Sequence, residues 1–224
     1  MSHPVYDRSL DPLEIAQLAL RWGAPPMRQV ALSVDDPFLT GEHQMLASDG
    51  RRAEICYVMH RGDPQEGLLL HIKTFYPEGA YRLPTGGIQI GESVLHTLER
   101  EIYEETGLVL GDGPDQVELQ RLLGILSYDM LHRRLGAVEF ATYFFLVQMP
   151  PDAELHTVDP HEHIGGWQWR APAELGDVAA VLDAVHTRSH TWGDWGHFRA
   201  AGHRFLAEHL GRPWLGAQVT GQGK

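Results

Sequence analysis

The stretch that most constrains this chain runs from Gly86 to Leu108, GGIQIGESVLHTLEREIYEETGL. A glycine turn opens it, Glu92 stands at the mouth of a helix, and Glu99, Glu101, Glu104 and Glu105 crowd the segment that follows. At roughly 100° per residue, Glu101 and Glu105 lie about 40° apart around the helix axis and Glu104 about 60° to the other side. The three carboxylates share a face, where like charges destabilise an isolated helix by a few tenths of a kcal/mol per pair, on the order of the usual i,i+4 effect. A hard divalent cation that takes oxygen ligands reverses that sign. Leu95, Leu98 and Ile102 fall on an adjacent face suited to packing on a sheet. Arg100, one turn before Glu104, can neutralise and orient a carboxylate. Gly107 ends the helix as a left-handed cap, and Glu92 sits where the helix dipole favours a negative charge.

These residues resemble the Nudix box, G-x5-E-x7-R-E-U-x-E-E-x-G-U with U a bulky aliphatic. Gly86, Glu92, Arg100, Glu101, Ile102, Glu104, Glu105, Gly107 and Leu108 fill its nine specified positions. Thr85 and Gln89 stand where many relatives carry Gly and Glu. The resemblance implies the Nudix fold, an α+β architecture with a mixed β-sheet sandwiched between helices. It implies a hydrolase, a pyrophosphatase cleaving the pyrophosphate linkage of a nucleoside diphosphate derivative, with Mg²⁺ as cofactor or Mn²⁺ in its place. By position in the box, Glu101, Glu104 and Glu105 are the metal ligands, with the backbone carbonyl of Thr85 as a further one. Gly86, Glu92, Arg100 and Gly107 are structural, Glu92 and Arg100 pairing to hold the loop on the helix. The general base is either a box glutamate, Glu101 or Glu105, or a loop glutamate. Glu162 in DPHEHIGGWQW is the loop candidate, and Glu139 follows it from within a strand pattern. The family's substrate signatures do not select a substrate: Leu123 and Gly124 occupy the region where ADP-ribose enzymes carry a proline, and Tyr128 comes late for a dinucleoside-polyphosphate enzyme.

Two other functions fit the same fold. One is a non-catalytic ligand sensor, which would have lost box glutamates and carry a basic helix. The C-terminal segment offers Arg188, Arg199, Arg204 and Arg212 but also Asp194 and Glu208. The other is an isoprenoid diphosphate isomerase with a catalytic cysteine. The lone cysteine, Cys56, lies in the strand-like AEICYVMH with no activating neighbour, as a buried inert thiol would. A zinc site at His156, His161 and His163 lacks a cysteine to help.

A formal charge of −12 over 224 residues provides no basic stripe to replace the counterions of a nucleic acid. A small phosphorylated substrate remains accessible if a metal supplies the positive charge locally. No segment approaches the roughly 18 apolar residues of a membrane span, the N-terminus lacks a signal-peptide core, and one cysteine suits a reducing compartment. The expectation is a cytoplasmic protein that binds neither membrane nor nucleic acid.

Around the box the pattern divides into an N-terminal helical extension (1–50), a hydrolase domain (51–176) and a C-terminal helical extension (177–224). Residues 11–22 read as an amphipathic helix with Asp11 as cap, Pro12 first and Gly23 as stop. Its apolar face packs on the core or on a second subunit, the latter giving a homodimer. Residues 24–50 read as irregular. Strands are expected at 52–60 and 67–76, paired as a hairpin, then at 80–84, 117–131, 136–149 and 164–170. A helix starts at 172 and a final one spans about 195–210, ending at Gly211. Trp192 and Trp195 either stack a base or pack the last helix on the core.

Overall fold

The computed structural model describes residues 6–35, 37–39, 46 and 50–210. Gly211 and Arg212, read above as a helix stop and a C-terminal cation, lie outside the described residues.

Helix α1 (Pro12–Trp22) begins where Asp11 accepts hydrogen bonds from the backbone N–H of Leu13 and Glu14, and it ends at Gly23. Leu18 is buried in the protein's own core, with Ile15 and Trp22 beside it, so the apolar face of α1 packs intramolecularly. Seven strands follow: β1 (Met27–Val34), β2 (Arg51–His60), β3 (Leu68–Lys73), β4 (Thr85–Gln89), β5 (Glu118–His132), β6 (Gly136–Gln148) and β7 (Ile164–Arg170). They form one mixed sheet in the order β1-β5-β6-β2-β3-β7, with β4 beside β2. Helix α2 (Val94–Thr106) follows β4, and α3 (Leu175–Asp183), α4 (Val185–Arg188) and α5 (Gly193–Leu210) follow β7.

The sheet is buried on both faces because its central strands are apolar at nearly every position. In β2 the odd residues Ile55, Tyr57 and Met59 face α1 and α2, together with Leu98 and Ile102. The even residues Cys56 and Val58 face the other way, against Phe198, Phe205 and Leu182 of α5 and α3. This period-two division makes the two faces chemically distinct. At roughly 1.5–3 kcal/mol for each fully buried large apolar side chain, the two clusters dominate the folding energy.

Residues 27–34, expected to be irregular, form β1 and pair in parallel with Met27–Val34 opposite Ile125–His132 of β5. Val30, Leu32 and Val34 alternate toward the core. The intervening side is polar, with Gln29 bonded to Asp129 at 2.6 Å, while Arg28 ends the core-facing side by donating to Glu208 of α5 at 2.9 Å. The pattern is that of an edge strand, obscured in the sequence by Pro25 and Pro26. The expected strand over 80–84 reduces to a single bridge between Arg82 and His71.

Candidate active site

Sequence and tertiary contacts together fix where α2 starts. Ser93 caps it by accepting from His96 N–H at 3.3 Å. From outside the helix, Glu14 of α1 accepts from Val94 N–H at 2.7 Å. At the other end Gly107 takes φ 73°, and a Cβ there would also overlap the His156 ring. Val94, Leu98 and Ile102 bury the helix on the sheet, and this rotation turns Glu101 and Glu105 inward. The Glu101 side chain is 9% exposed and Glu105 fully buried, whereas Glu104 keeps 28% exposure. Gly86 admits Glu101: a side chain on Gly86 would overlap the Glu101 carboxylate.

Arg100 holds the acidic face together. Its Nη1 donates to Glu101 at 2.8 Å and to Glu104 at 2.9 Å. Its Nε donates to Glu92 at 3.0 Å and its Nη2 to the Gly87 carbonyl at 3.1 Å. Glu92 in turn accepts from Gln89 N–H at 3.2 Å, closing the glycine turn onto the helix. The guanidinium fork suits several carboxylates at once.

Glu105 lies beneath this cluster. Its Oε2 accepts from the Tyr57 hydroxyl and lies 3.7 Å from His71 Nδ1, while its Oε1 lies 3.4 Å from Lys73 Nζ without a hydrogen bond. Lys73 reaches on to Glu162 at 2.6 Å. Burial pushes the Glu101 carboxyl up to about 8, with Glu105 adding to the rise and Arg100 opposing it. Burial likewise pushes Glu105 up to about 7 against the pull of Lys73. Burial also acts to raise Glu162, but Lys73 outweighs it and holds that carboxyl below the usual range.

Glu162 reaches the site on a strapped loop. It ends a short 3-10 turn, Pro160–Glu162, capped by Asp159. The backbone N–H groups of Val158 and Asp159 donate to the Glu104 carbonyl at 2.9 and 3.2 Å, and His156 N–H donates to the Thr106 carbonyl at 3.1 Å. The last turn of α2 therefore sets the height of this loop. His163, directly after Glu162, takes φ 53°, and among the described residues it alone is a non-glycine with positive φ. Its carbonyl accepts from Thr74 N–H at 2.8 Å, tying the loop to the end of β3. Such strain is tolerated where surrounding contacts over-determine it.

One oxygen each of Glu101, Glu104 and Glu162 lies within 4.8 Å of the others. This is the spacing a single hard cation bridges. The buried Oε1 of Glu105 has no hydrogen bond, and burial, with repulsion from neighbouring carboxylates adding to it, raises both Glu101 and Glu105, so their ionised forms lack a positive partner of the kind a divalent cation supplies. The donor set is all oxygen, as Mg²⁺ or Mn²⁺ requires. Among the described residues no histidine joins a metal-capable group, which removes the zinc reading at His156, His161 and His163.

Of the remaining sequence candidates, Thr85 directly precedes Gly86 at the cluster and the others sit elsewhere. Thr85 opens β4, and its Oγ1 accepts from Arg82 at 3.0 Å. Glu139 is exposed on β6 opposite Asp129, outside the carboxylate cluster. Cys56 is buried on the α5 face of the sheet, where desolvation drives its thiol far above the ordinary range. An isomerase nucleophile would need the opposite. Trp192 and Trp195 pack on Tyr76, at centroid distances of 5.7 and 4.7 Å. Sequence reasoning missed Tyr57 and Lys73. The signal was present in the alternation of β2 and β3, where Tyr57 shares a face with Ile55, and His71 and Lys73 with Leu69.

A protein-family model for the NUDIX domain matches residues 50–192. An RNA pyrophosphohydrolase of Mesorhizobium japonicum is 31% identical over 108 residues, which cover 44% of this chain and 60% of that protein. The chain thus spans under two thirds of this relative's length. An RNA pyrophosphohydrolase of Dinoroseobacter shibae is 26% identical over 124 residues, covering 52% of this chain and 76% of that one. Among solved structures, the E. coli dihydroneopterin triphosphate pyrophosphohydrolase aligns with a TM-score of 0.46 at 13% identity, covering 71% of this chain and 96% of that chain. The family match takes in the whole of Gly86–Leu108, the strand that supplies Lys73 and the loop that carries Glu162, and the chain belongs to the Nudix family.

Proposed function

We propose that this chain is a divalent-cation-dependent pyrophosphohydrolase acting on a nucleoside diphosphate derivative. The observation that carries the reading is the convergence of Glu101, Glu104 and Glu162 within 4.8 Å, over a buried Glu105. Mg²⁺ or Mn²⁺ held by Glu101, Glu104 and Glu105, with the Thr85 carbonyl as a further donor, would neutralise phosphate oxygens and acidify a water that Glu162 faces.

The chain's own residues account for the rest. Arg100 opposes the rise of the Glu101 carboxyl and holds Glu101 and Glu104 pointed into the cluster. Lys73 keeps Glu162 ionised at neutral pH, ready to take a proton. In the proposed reaction Glu162 accepts the proton of a water whose oxygen attacks phosphorus. The P–O bond of the anhydride breaks, and its electron pair leaves on the departing phosphate. Positioning and electrostatics then supply most of the rate.

The test is a panel of nucleoside diphosphate derivatives, nucleoside triphosphates and a 5′-triphosphorylated oligoribonucleotide, incubated with Mg²⁺. The RNA is included because of the relatives' names. Turnover that falls at least about a hundredfold in Glu105→Gln supports the enzyme. Tight binding with no turnover by the wild-type protein would favour a sensor. Glu162→Gln is expected to lower kcat by about tenfold or more while metal affinity holds, as loss of a general base does. A parallel fall in metal affinity would reassign Glu162 as a ligand.

A further inference from the structure

Gly86 and Gly87 are consecutive on β4, so they face opposite sides of the sheet. A side chain on Gly86 would overlap Glu101, and one on Gly87 would overlap the Arg51 guanidinium. The carboxylate cluster and Arg51 thus lie back to back across one strand. Arg51 opens onto a cavity of about 480 Å³ that Asp7, Arg8, Arg52, Ile90, Glu139 and Phe140 also line.

The arginines of this cavity are unusual in the molecule. Among the described residues, Arg8 and Arg51 are the arginines whose side chains have no hydrogen bond, ion pair or ring contact. That is unexpected in a chain of net charge −12, where acidic partners are plentiful. Arg52 beside them is 1% exposed, and its Nε is buried without a hydrogen-bond partner. The two acids of the lining, Asp7 and Glu139, are exposed and screened by water, whereas Arg51 is half-buried against the Gly87 peptide. Ile90 and Phe140 give the cavity an apolar wall. Arg8 and Arg51 line one space, and a guanidinium fork matches the oxygens of a phosphate, which it binds bidentately.

We propose that the Arg8–Arg51 cavity is a phosphate subsite, taking a phosphate group other than the one attacked at the carboxylates. Where that phosphate belongs to the substrate, the assignment rests on the hydrolase reading above. The binding itself does not.

The experiment separates the two. Full-length protein is titrated calorimetrically with inorganic pyrophosphate in EDTA, so that the carboxylates hold no cation and repel the ligand. Saturable binding that weakens with added salt is expected. Arg51→Gln and Arg8→Gln should each lower affinity at least tenfold, the pair should abolish it, and Glu104→Gln should leave it intact. Arg8 is exposed, so its variant remains informative if Arg51→Gln perturbs folding. Absence of binding by the wild type, or wild-type affinity in both arginine variants, overturns the proposal. In a second arm with Mg²⁺, a KM raised at least tenfold at unchanged kcat assigns the phosphate to the substrate. An unchanged KM with altered inhibition by free pyrophosphate assigns it to a free anion. Failure of the hydrolase reading would abolish turnover in every variant and leave the EDTA titration as it is.

Discussion

His203 shows how far one buried polar side chain can be committed to a single protonation state. Its Nδ1 donates to the Arg199 carbonyl at 2.8 Å, and its Nε2 accepts from Leu83 N–H at 3.1 Å, so the neutral ring is the one that fits. Burial pushes it down to about 4 from an ordinary value of 6.5. In the unfolded chain this ring takes up a proton below about 6.5, while in the folded protein it stays neutral until about 4. Its contribution is therefore fully present above pH 6.5 and is lost as pH falls toward 4. Between pH 7 and pH 5 the loss amounts to about 2 kcal/mol. Urea denaturation of wild type and His203→Gln at the two values measures it, and the variant should show the smaller drop. A drop of equal size in both would remove His203 from the account. Gly86 makes the complementary case for space. Gly86→Ala forces Glu101 out of its place, and kcat should fall at least about tenfold, as a 1 Å displacement of a catalytic group does. A Gly86→Ala protein with wild-type turnover would show that Glu101 has room to move.

At the scale of elements, the informative contact is between α1 and α2, two helices separated by most of the sheet in sequence. Glu14 and Arg52 form a pair at 2.8 Å with side chains 3% and 1% exposed. Glu14 also caps α2 at Val94, and Arg52 donates to the Glu92 carbonyl at 2.8 Å. From Glu92 the contacts run through Arg100 to Glu101 and Glu104. Burial raises the Glu14 carboxyl even with Arg52 beside it, so the pair adds little net stability and acts to fix geometry. Removing one partner is a different matter, because it strands the other charge. Glu14→Ala is expected to cost about 3 kcal/mol in denaturant unfolding and to weaken Mg²⁺ binding in the same protein. Wild-type metal affinity in a folded Glu14→Ala would cut the link between the first helix and the acidic cluster. None of this was legible in the sequence, since a buried Glu on an amphipathic helix looks like a solvated one. The box itself was legible, because its spacing carries the carboxylate face, the Arg100 hub and the Gly107 cap on one continuous helix. What stayed hidden depends on contacts between distant segments: Lys73 and Tyr57 under Glu105, β1 completing the sheet edge, and Arg51 behind Gly87. Period-two alternation places such residues on a face, but it does not say which helix that face meets.

For the whole molecule, the balance of charge decides the last prediction. The chain carries a net −12, and its most crowded acids converge where β3, β4, α2 and the Glu162 loop meet. Lys73 and Arg100 offset part of that crowding, yet burial first, and then repulsion from the neighbouring carboxylates, leave Glu101 and Glu105 raised toward neutrality. Folding therefore gathers carboxylates that repel one another, and a ligand that neutralises them binds the folded state and not the unfolded chain. Mass action then converts affinity into stability. At a free concentration a hundredfold above Kd, a bound cation adds about 2.7 kcal/mol. For a chain of this size that raises Tm by roughly 5–10 °C. The measurement is a thermal melt in EDTA against increasing Mg²⁺ or Mn²⁺, with ionic strength held constant by NaCl. Constant ionic strength matters because general screening would also relieve a net charge of this size, though only weakly at a partly buried site. The rise should be much reduced in Glu104→Gln, which keeps a side chain of the same shape but removes one negative charge from the cluster. A rise of the same size in Glu104→Gln, or in NaCl alone, would mean that the cation relieves the overall charge of the molecule and not the cluster between Gly86 and Glu162.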